Sequence, residues 1–243
     1  MPLRRRVHGS DERGFTLVEM LVAMSIGVVI LLAAFMLLDR SFSTSAQIAD
    51  RQEGLQRGRQ AMELITRQLR SQVCVVVPPA TAYSAPVTAA TDTSVTFYAS
   101  LSESGTSVEK RTLTFSSTGT GSITQNVITG TPNTVYPQMA FTGTGTTTTL
   151  LTDVKQAQTG TPATNLPVFR YYRYKAGAPV GDLELLNTPL ATADLARVAL
   201  IKVAFRSYAA RPISKDNDAS QLENDVYIRI SDSSELQETP QCI

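Results

Sequence analysis

The sequence predicts an α+β protein: a long N-terminal helix, membrane-spanning in its first half and amphipathic in its second, packed on a mainly antiparallel β-sheet head. Three observations carry this. The run from Phe15 to Leu38 is apolar and holds one ionisable residue, Glu19. From Asp39 to Ser71 there is no proline, and the apolar residues change from continuous to periodic. The rest of the chain is rich in Thr, Ser and Val, with Gly and Pro between short alternating runs, a composition that favours sheet. The expected segments are a leader at 1–14, a membrane or filament-core helix at 15–38, its amphipathic continuation at 39–71 and a β-rich head at 72–243.

Phe15 to Leu38 would extend about 36 Å as a helix, enough to cross a hydrocarbon core of roughly 30 Å. Arg4, Arg5, Arg6 and Arg13 precede it against Asp11 and Glu12. Such a positive excess places the leader in the cytoplasm and everything after Asp39 outside it. A carboxylate inside a membrane-length segment is costly and by default functional, so Glu19 needs a partner; the bland alternative is a side chain snorkelling near the bilayer edge. A secretory signal peptide would have a shorter apolar core. A plain signal anchor in front of a secreted β-domain fits the length but leaves Glu19 and Gly14 without a purpose.

Beyond Asp39, Leu55, Met62, Ile65 and Leu69 fall at helical spacing, with Ile48 one heptad before Leu55. Arg57, Arg59, Glu63, Arg67 and Arg70 occupy other faces. A continuous helix from Phe15 to Ser71 would be about 85 Å long. Gly54 and Gly58 are expected to weaken it, by up to ~1 kcal/mol each relative to Ala, and Pro78-Pro79 forbids its continuation.

In the head, Val95, Phe97 and Ala99 alternate with Thr96, Tyr98 and Ser100, and Leu113 and Phe115 alternate with polar residues. The strongest strand signal is Arg197 to Tyr208, with Ala199, Ile201, Val203 and Phe205 on one face and Lys202 and Arg206 on the other. Val226, Ile228 and Ile230 repeat the pattern against Tyr227 and Arg229. Antiparallel sheet with one face on a core suits this, the helix stripe supplying part of that core. Thr142 to Thr149 reads as a low-complexity turn, and Gln158 to Pro167 as a loop.

The residues GFTLVEM, Gly14 to Met20, resemble the prepilin-type cleavage and methylation motif of type IV pilins and type II secretion pseudopilins. The resemblance is close over about the first 30 residues. It implies cleavage after Gly14 by prepilin peptidase, methylation of the new N-terminal Phe15, and a role for Glu19 between neighbouring subunits. Physical chemistry agrees: cleavage leaves an ammonium on Phe15 that must be neutralised among other subunits' apolar helices, where charge pairs are far stronger than in water. The implied partners are the peptidase, other pilin or pseudopilin subunits, an inner-membrane assembly platform and membrane lipid before assembly. Many major pilins carry a proline within the apolar segment; the region around Phe35 to Leu38 has none. With LQRGRQAMELITRQLRSQV, this is similar to the layout of W-type minor pilins and J-type pseudopilins.

The two cysteines are Cys74 and Cys242. An exported head puts both in an oxidising compartment, where a bridge closing a long loop would contribute ~3 to 5 kcal/mol on a chain-entropy model. The alternative is two unrelated thiols.

Catalysis is not expected. The single histidine, His8, lies in the leader, so a processed chain has no imidazole for hydrolytic triads or histidine zinc sites. No phosphate loop, nucleophile elbow or CxxC motif is present, and nothing implies a cofactor. Asp216, Asn217, Asp218, Glu223 and Asp225 concentrate oxygen ligands but lack EF-hand spacing, which favours a solvated acidic turn. Phe169 to Lys175 interleaves aromatics and cations, a pattern that can stack bases or sugars, although a packed strand is the simpler reading. It is the one segment that would serve a filament-displayed adhesin or DNA-binding module. Net charge falls from +1 to −1 when the leader's four arginines and two acids are removed, so no basic field draws in nucleic acid.

Overall fold

The computed structural model describes residues 14–101, 107–133, 138–175, 181–212 and 219–228. Helix α1 (Leu17–Arg70) is followed by β1 (Val87–Ala90), β2 (Ser94–Ala99), β3 (Glu109–Ser116), β4 (Ser122–Thr129), β5 (Thr131–Pro132), β6 (Met139–Ala140) and β7 (Thr146–Thr152). Then come β8 (Val154–Gln156), β9 (Gln158–Thr159), β10 (Thr164–Asn165), β11 (Phe169–Tyr174), β12 (Leu183–Leu185), α2 (Thr192–Leu195), β13 (Leu200–Ser207) and β14 (Ser220–Tyr227). The chain divides into two compact units, Met1–Ala46 and Gln47–Ile243. The first holds the apolar part of α1; the second holds its remainder and the strands.

The second unit contains two antiparallel five-stranded sheets. One has the order β1-β2-β3-β4-β7; the other has the order β12-β11-β13-β14, with β8 also paired to β13. The chain passes between them at Asp153, whose φ of 58° puts it in the left-handed region. Aspartate tolerates that conformation better than most residues. Alternation along the strands sends Val95, Phe97, Leu113, Phe115 and Ile123 of the first sheet into one core with Phe169, Tyr171, Ile201, Val203, Phe205 and Val226 of the second. Ala61, Met62, Ile65 and Leu69 of α1 join them, as the helical spacing predicts. A smaller cluster packs Tyr98, stacked on Phe141 with ring centroids 4.9 Å apart, near Val75, Val108 and Met139.

Several expectations need correction. Ile48 is 53% exposed and Leu55 only half-buried. The buried face runs instead through Asp50, Gly54, Gly58, Ala61, Ile65 and Leu69. The two glycines, expected as weak points, are places where the helix backbone comes close to the end of β13 in the second sheet. A Cβ on Gly54 would lie 3.0 Å from the Tyr208 carbonyl carbon, and one on Gly58 2.9 Å from the Ser207 Cβ. A bulky residue at either place would hold the helix off the sheet, which no apolar count reveals.

Only the first part of Thr142 to Thr149 is a turn. Gly143 and Gly145 take positive φ, and β7 begins at Thr146, where exposed threonines pair with β4. Within Gln158 to Pro167, β9 and β10 form a two-stranded ribbon. Residues at both of these sites alternate too little in hydrophobicity to register as strand, because neither face is buried. The strand expected from Arg197 starts at Leu200. β14 starts earlier than its apolar residues suggest, at Ser220, while Arg229 and Ile230 lie outside the described residues.

Candidate processing and assembly site

Residues 14–16 are non-helical and exposed, and the helix begins at Leu17 because Thr16 and Glu19 cap it. The Thr16 N–H and O–H both donate to Glu19 Oε2, at 3.0 and 2.9 Å, and the Glu19 N–H donates to the Thr16 hydroxyl at 3.3 Å. This reciprocal pattern is a capping box; it satisfies amides that would otherwise lack partners in the first turn and puts a carboxylate where the helix dipole favours it. The T-x-x-E spacing that makes it was legible in the sequence, although the reading there gave Glu19 only an intersubunit task. Thr16 is thus the site residue that reading missed. Both bonds fall on one oxygen, so Oε1 has no partner among the described residues and can still accept a hydrogen bond.

The expected junction, Gly14 and Phe15, precedes this cap. No atom lies within 4 Å of a Cβ built on Gly14, and Phe15 is 86% exposed. A non-helical, uncovered backbone is what a peptidase needs for access. Arg4, Arg5, Arg6, His8 and Arg13 lie outside the described residues.

C-terminal to the cap, every large apolar residue from Leu17 to Leu38 is exposed, Leu31, Phe35 and Leu37 each by 60% or more. The most apolar stretch of α1 has a mean hydropathy of 2.9, with none of it buried. A helix apolar on all sides is covered by lipid or by other protein, and this one is long and apolar enough to cross a membrane.

A family model described as the prokaryotic N-terminal methylation motif matches residues 9–35. Over this segment the chain is type IV pilin-like. The motif is characteristic of type IV pilins and pseudopilins, structural rather than enzymatic subunits that are processed by prepilin peptidase and assembled with one another. It coincides with the capped start of α1 and most of the exposed apolar run. No curated protein and no solved structure matches the pilin-like chain.

The second unit places the remaining candidates. In β11, Phe169 and Tyr171 are buried, and the Tyr171 hydroxyl donates to the Thr91 and Ser94 carbonyls. Burial, with the Asp92 charge nearby, pushes that phenol well above its ordinary pKa. The cations of the strand are paired, Arg170 with Glu223 at 2.9 Å and Arg173 with Glu184 and Asp194. Phe169, Tyr171, Arg170 and Arg173 are thus packed or paired within the head, while Tyr172 and Tyr174 are half-buried. Asp216, Asn217 and Asp218 lie outside the described residues, and Glu223 and Asp225 pair with Lys202. These contacts raise the Lys202 pKa against a lowering effect of desolvation. Among the described residues no cluster of His, Cys, Asp and Glu has the geometry to hold a metal ion. Cys74 is half-buried just past α1, and Cys242 lies outside the described residues.

Arg57, expected on a face other than the apolar stripe, is one of several polar ties between helix and head, with Gln68 to Gln125 and Asn224 to Thr66 among the others. Its guanidinium donates to the Tyr208 carbonyl at 3.0 Å and to the Thr152 hydroxyl at 2.8 Å, with the Asp153 carboxylate 3.7 Å away. The contacts meet the point where the chain passes from one sheet to the other.

Proposed function

We propose that this chain is a minor pilin or pseudopilin, a structural subunit that waits in the membrane and is then drawn into a type IV pilus or type II secretion pseudopilus. Prepilin peptidase cuts between Gly14 and Phe15 and methylates Phe15. Arg4, Arg5, Arg6 and Arg13 hold the leader in the cytoplasm, and the head lies outside. After assembly the head sits on a cell-surface or periplasmic filament, with the apolar half of α1 in its core.

The observation that carries this reading is the capped carboxylate at the head of an apolar helical run, Leu17 to Leu38, that is exposed on every side. Glu19 is held in place through one oxygen and keeps the other for a neighbour's Phe15 ammonium, an arrangement that would set the stagger between subunits. Head-to-tail packing of that kind is heterologous and builds an open filament. The proline-free apolar segment and the large head favour a minor subunit of W or J type over a major one, and the presence of Glu19 argues against the extreme tip. We also propose a Cys74–Cys242 bridge, supported by the lack of a free thiol among the described cysteines.

The test is the N-terminal mass of the protein isolated from cells that contain the peptidase. A chain beginning at Phe15 and carrying one added methyl group is expected. An unprocessed Met1, or a start near Gln47 as a signal peptidase would leave, overturns the proposal.

A further inference from the structure

Along one flank of the head portion of α1 runs an open groove of about 950 Å³. Arg59, Glu63, Arg67 and Arg70 line its helical wall, and Leu222 and Asn224 of β14 its opposite wall. β14 is the last strand of its sheet among the described residues. The Ile228 N–H donates to the Ala199 carbonyl at 2.9 Å, and Leu200 pairs with Tyr227. In an antiparallel ladder the hydrogen-bonded pairs alternate. Leu222, Asn224 and Val226 therefore bond inward to β13, while Gln221, Glu223, Asp225 and Tyr227 turn their main-chain groups to the open edge. The Asp225 N–H is taken by its neighbour's side chain, Asn224 Oδ1, at 3.0 Å. The amides of Gln221, Glu223 and Tyr227 have no partner among the described residues.

An open edge of this length is a template for another strand, and native proteins usually cover or blunt such edges. Here a charged wall stands beside it. Arg59, Arg67 and Arg70 are exposed and make no ion pair among the described residues, and Glu63 is the one carboxylate lining the groove. The other face of β14 has the opposite sign at its surface: Glu223 and Asp225, already satisfied by Lys202 and Arg170. A strand added to the edge would send alternate side chains to these two faces.

We propose that this groove receives an extended segment of another protein chain by strand addition. The segment alternates acidic residues, directed at Arg59, Arg67 and Arg70, with uncharged or basic residues beside Glu223 and Asp225. Main-chain bonds to the β14 edge supply affinity, and the alternation supplies selectivity. The site names a contact surface for the proposed filament subunit but lies wholly within the head, so processed and unprocessed chains bind alike.

The test uses the full chain in detergent micelles and three twelve-residue peptides: alternating Glu and Thr, the same composition with Glu and Thr in adjacent pairs, and alternating Lys and Thr. The alternating acidic peptide binds at least tenfold more tightly than either of the others. It also slows hydrogen exchange at Gln221 and Glu223, and it loses at least tenfold in affinity with Arg67→Glu/Arg70→Glu. Unchanged exchange at Ile201 and Phe205 in that variant shows that the core is intact. Equal binding of the two Glu/Thr isomers overturns the proposal, as does peptide binding without slowed edge amides. So does finding those amides already protected in the free chain, which would mean that a segment of the chain itself or a second copy covers the edge.

Discussion

Gly58→Val is the sharpest test of how the helix sits on the head. The first added carbon would lie 2.6 Å from Leu222 Cδ1 and 2.9 Å from Ser207 Cβ. Leu222 can swing its side-chain end aside. Ser207 is fully buried on β13 and its Cβ moves only with the strand. Valine brings two further carbons, and overpacking of this kind costs typically ~1–3 kcal/mol. Its better helix propensity returns only about 0.3 kcal/mol relative to glycine. The net expectation is about 2 kcal/mol of lost stability, a Tm lower by roughly 4 to 8 °C for a domain of this size. Thermal unfolding of the full chain in detergent, followed by near-UV circular dichroism of the head tyrosines, reads the change. Gly27→Val is the control: nothing lies within 4 Å of a Cβ there, so head unfolding stays where it was. A Gly58→Val chain that melts within a degree of the parent would refute the close approach of α1 to β13 and β14.

Arg57→Met removes the tie to Thr152 and Tyr208 and leaves carbonyls without their donor, costing about 1–3 kcal/mol in chemical denaturation; an unchanged midpoint would show the contact to be idle. Tyr171→Phe costs about 1–2 kcal/mol at neutral pH through the Thr91 and Ser94 carbonyls. Because burial raises the Tyr171 pKa, its stabilising effect is complete below the ordinary tyrosine range and is lost as the pH rises through and beyond it. The gap between wild type and Tyr171→Phe therefore narrows in alkaline titrations; a gap that widens would contradict the buried neutral phenol. Glu19→Ala is expected to be cleaved normally yet to be scarce in sheared filaments, and recovery at wild-type levels would remove Glu19 from assembly. Cys74→Ser should lower stability by ~3–5 kcal/mol under oxidising conditions and by nothing under reduction, as paired denaturation curves would show.

The apolar run and its lone carboxylate were legible because they answer to local rules. A helix long enough to cross a bilayer needs an unbroken apolar stretch, and an N-cap needs Thr and Glu three residues apart, so residues 14–38 carry their own explanation. The inward alternation of Ile201, Val203 and Phe205 was legible for the same reason: one face of the strand is buried and the other is not. β7 was not, since its four leading threonines are exposed on both faces and resemble a turn until β4 is seen beside them. Ile48 misled because heptad spacing predicts a side of the helix, while burial depends on whether the head reaches that far.

The sequence by itself determined the membrane-length helix, its capped start and the motif that makes the chain pilin-like. Tertiary structure decided which helix face meets the head, that Gly54 and Gly58 are contact residues, that the cations of β11 are spoken for, and that, among the described residues, β14 ends its sheet beside three arginines without an ion pair. The reason is one of range. Caps, hydropathy and alternation are set by neighbours within a few residues, whereas close backbone approach and pairing at a sheet edge depend on partners as distant as Gly58 and Ser207, which only folding brings together.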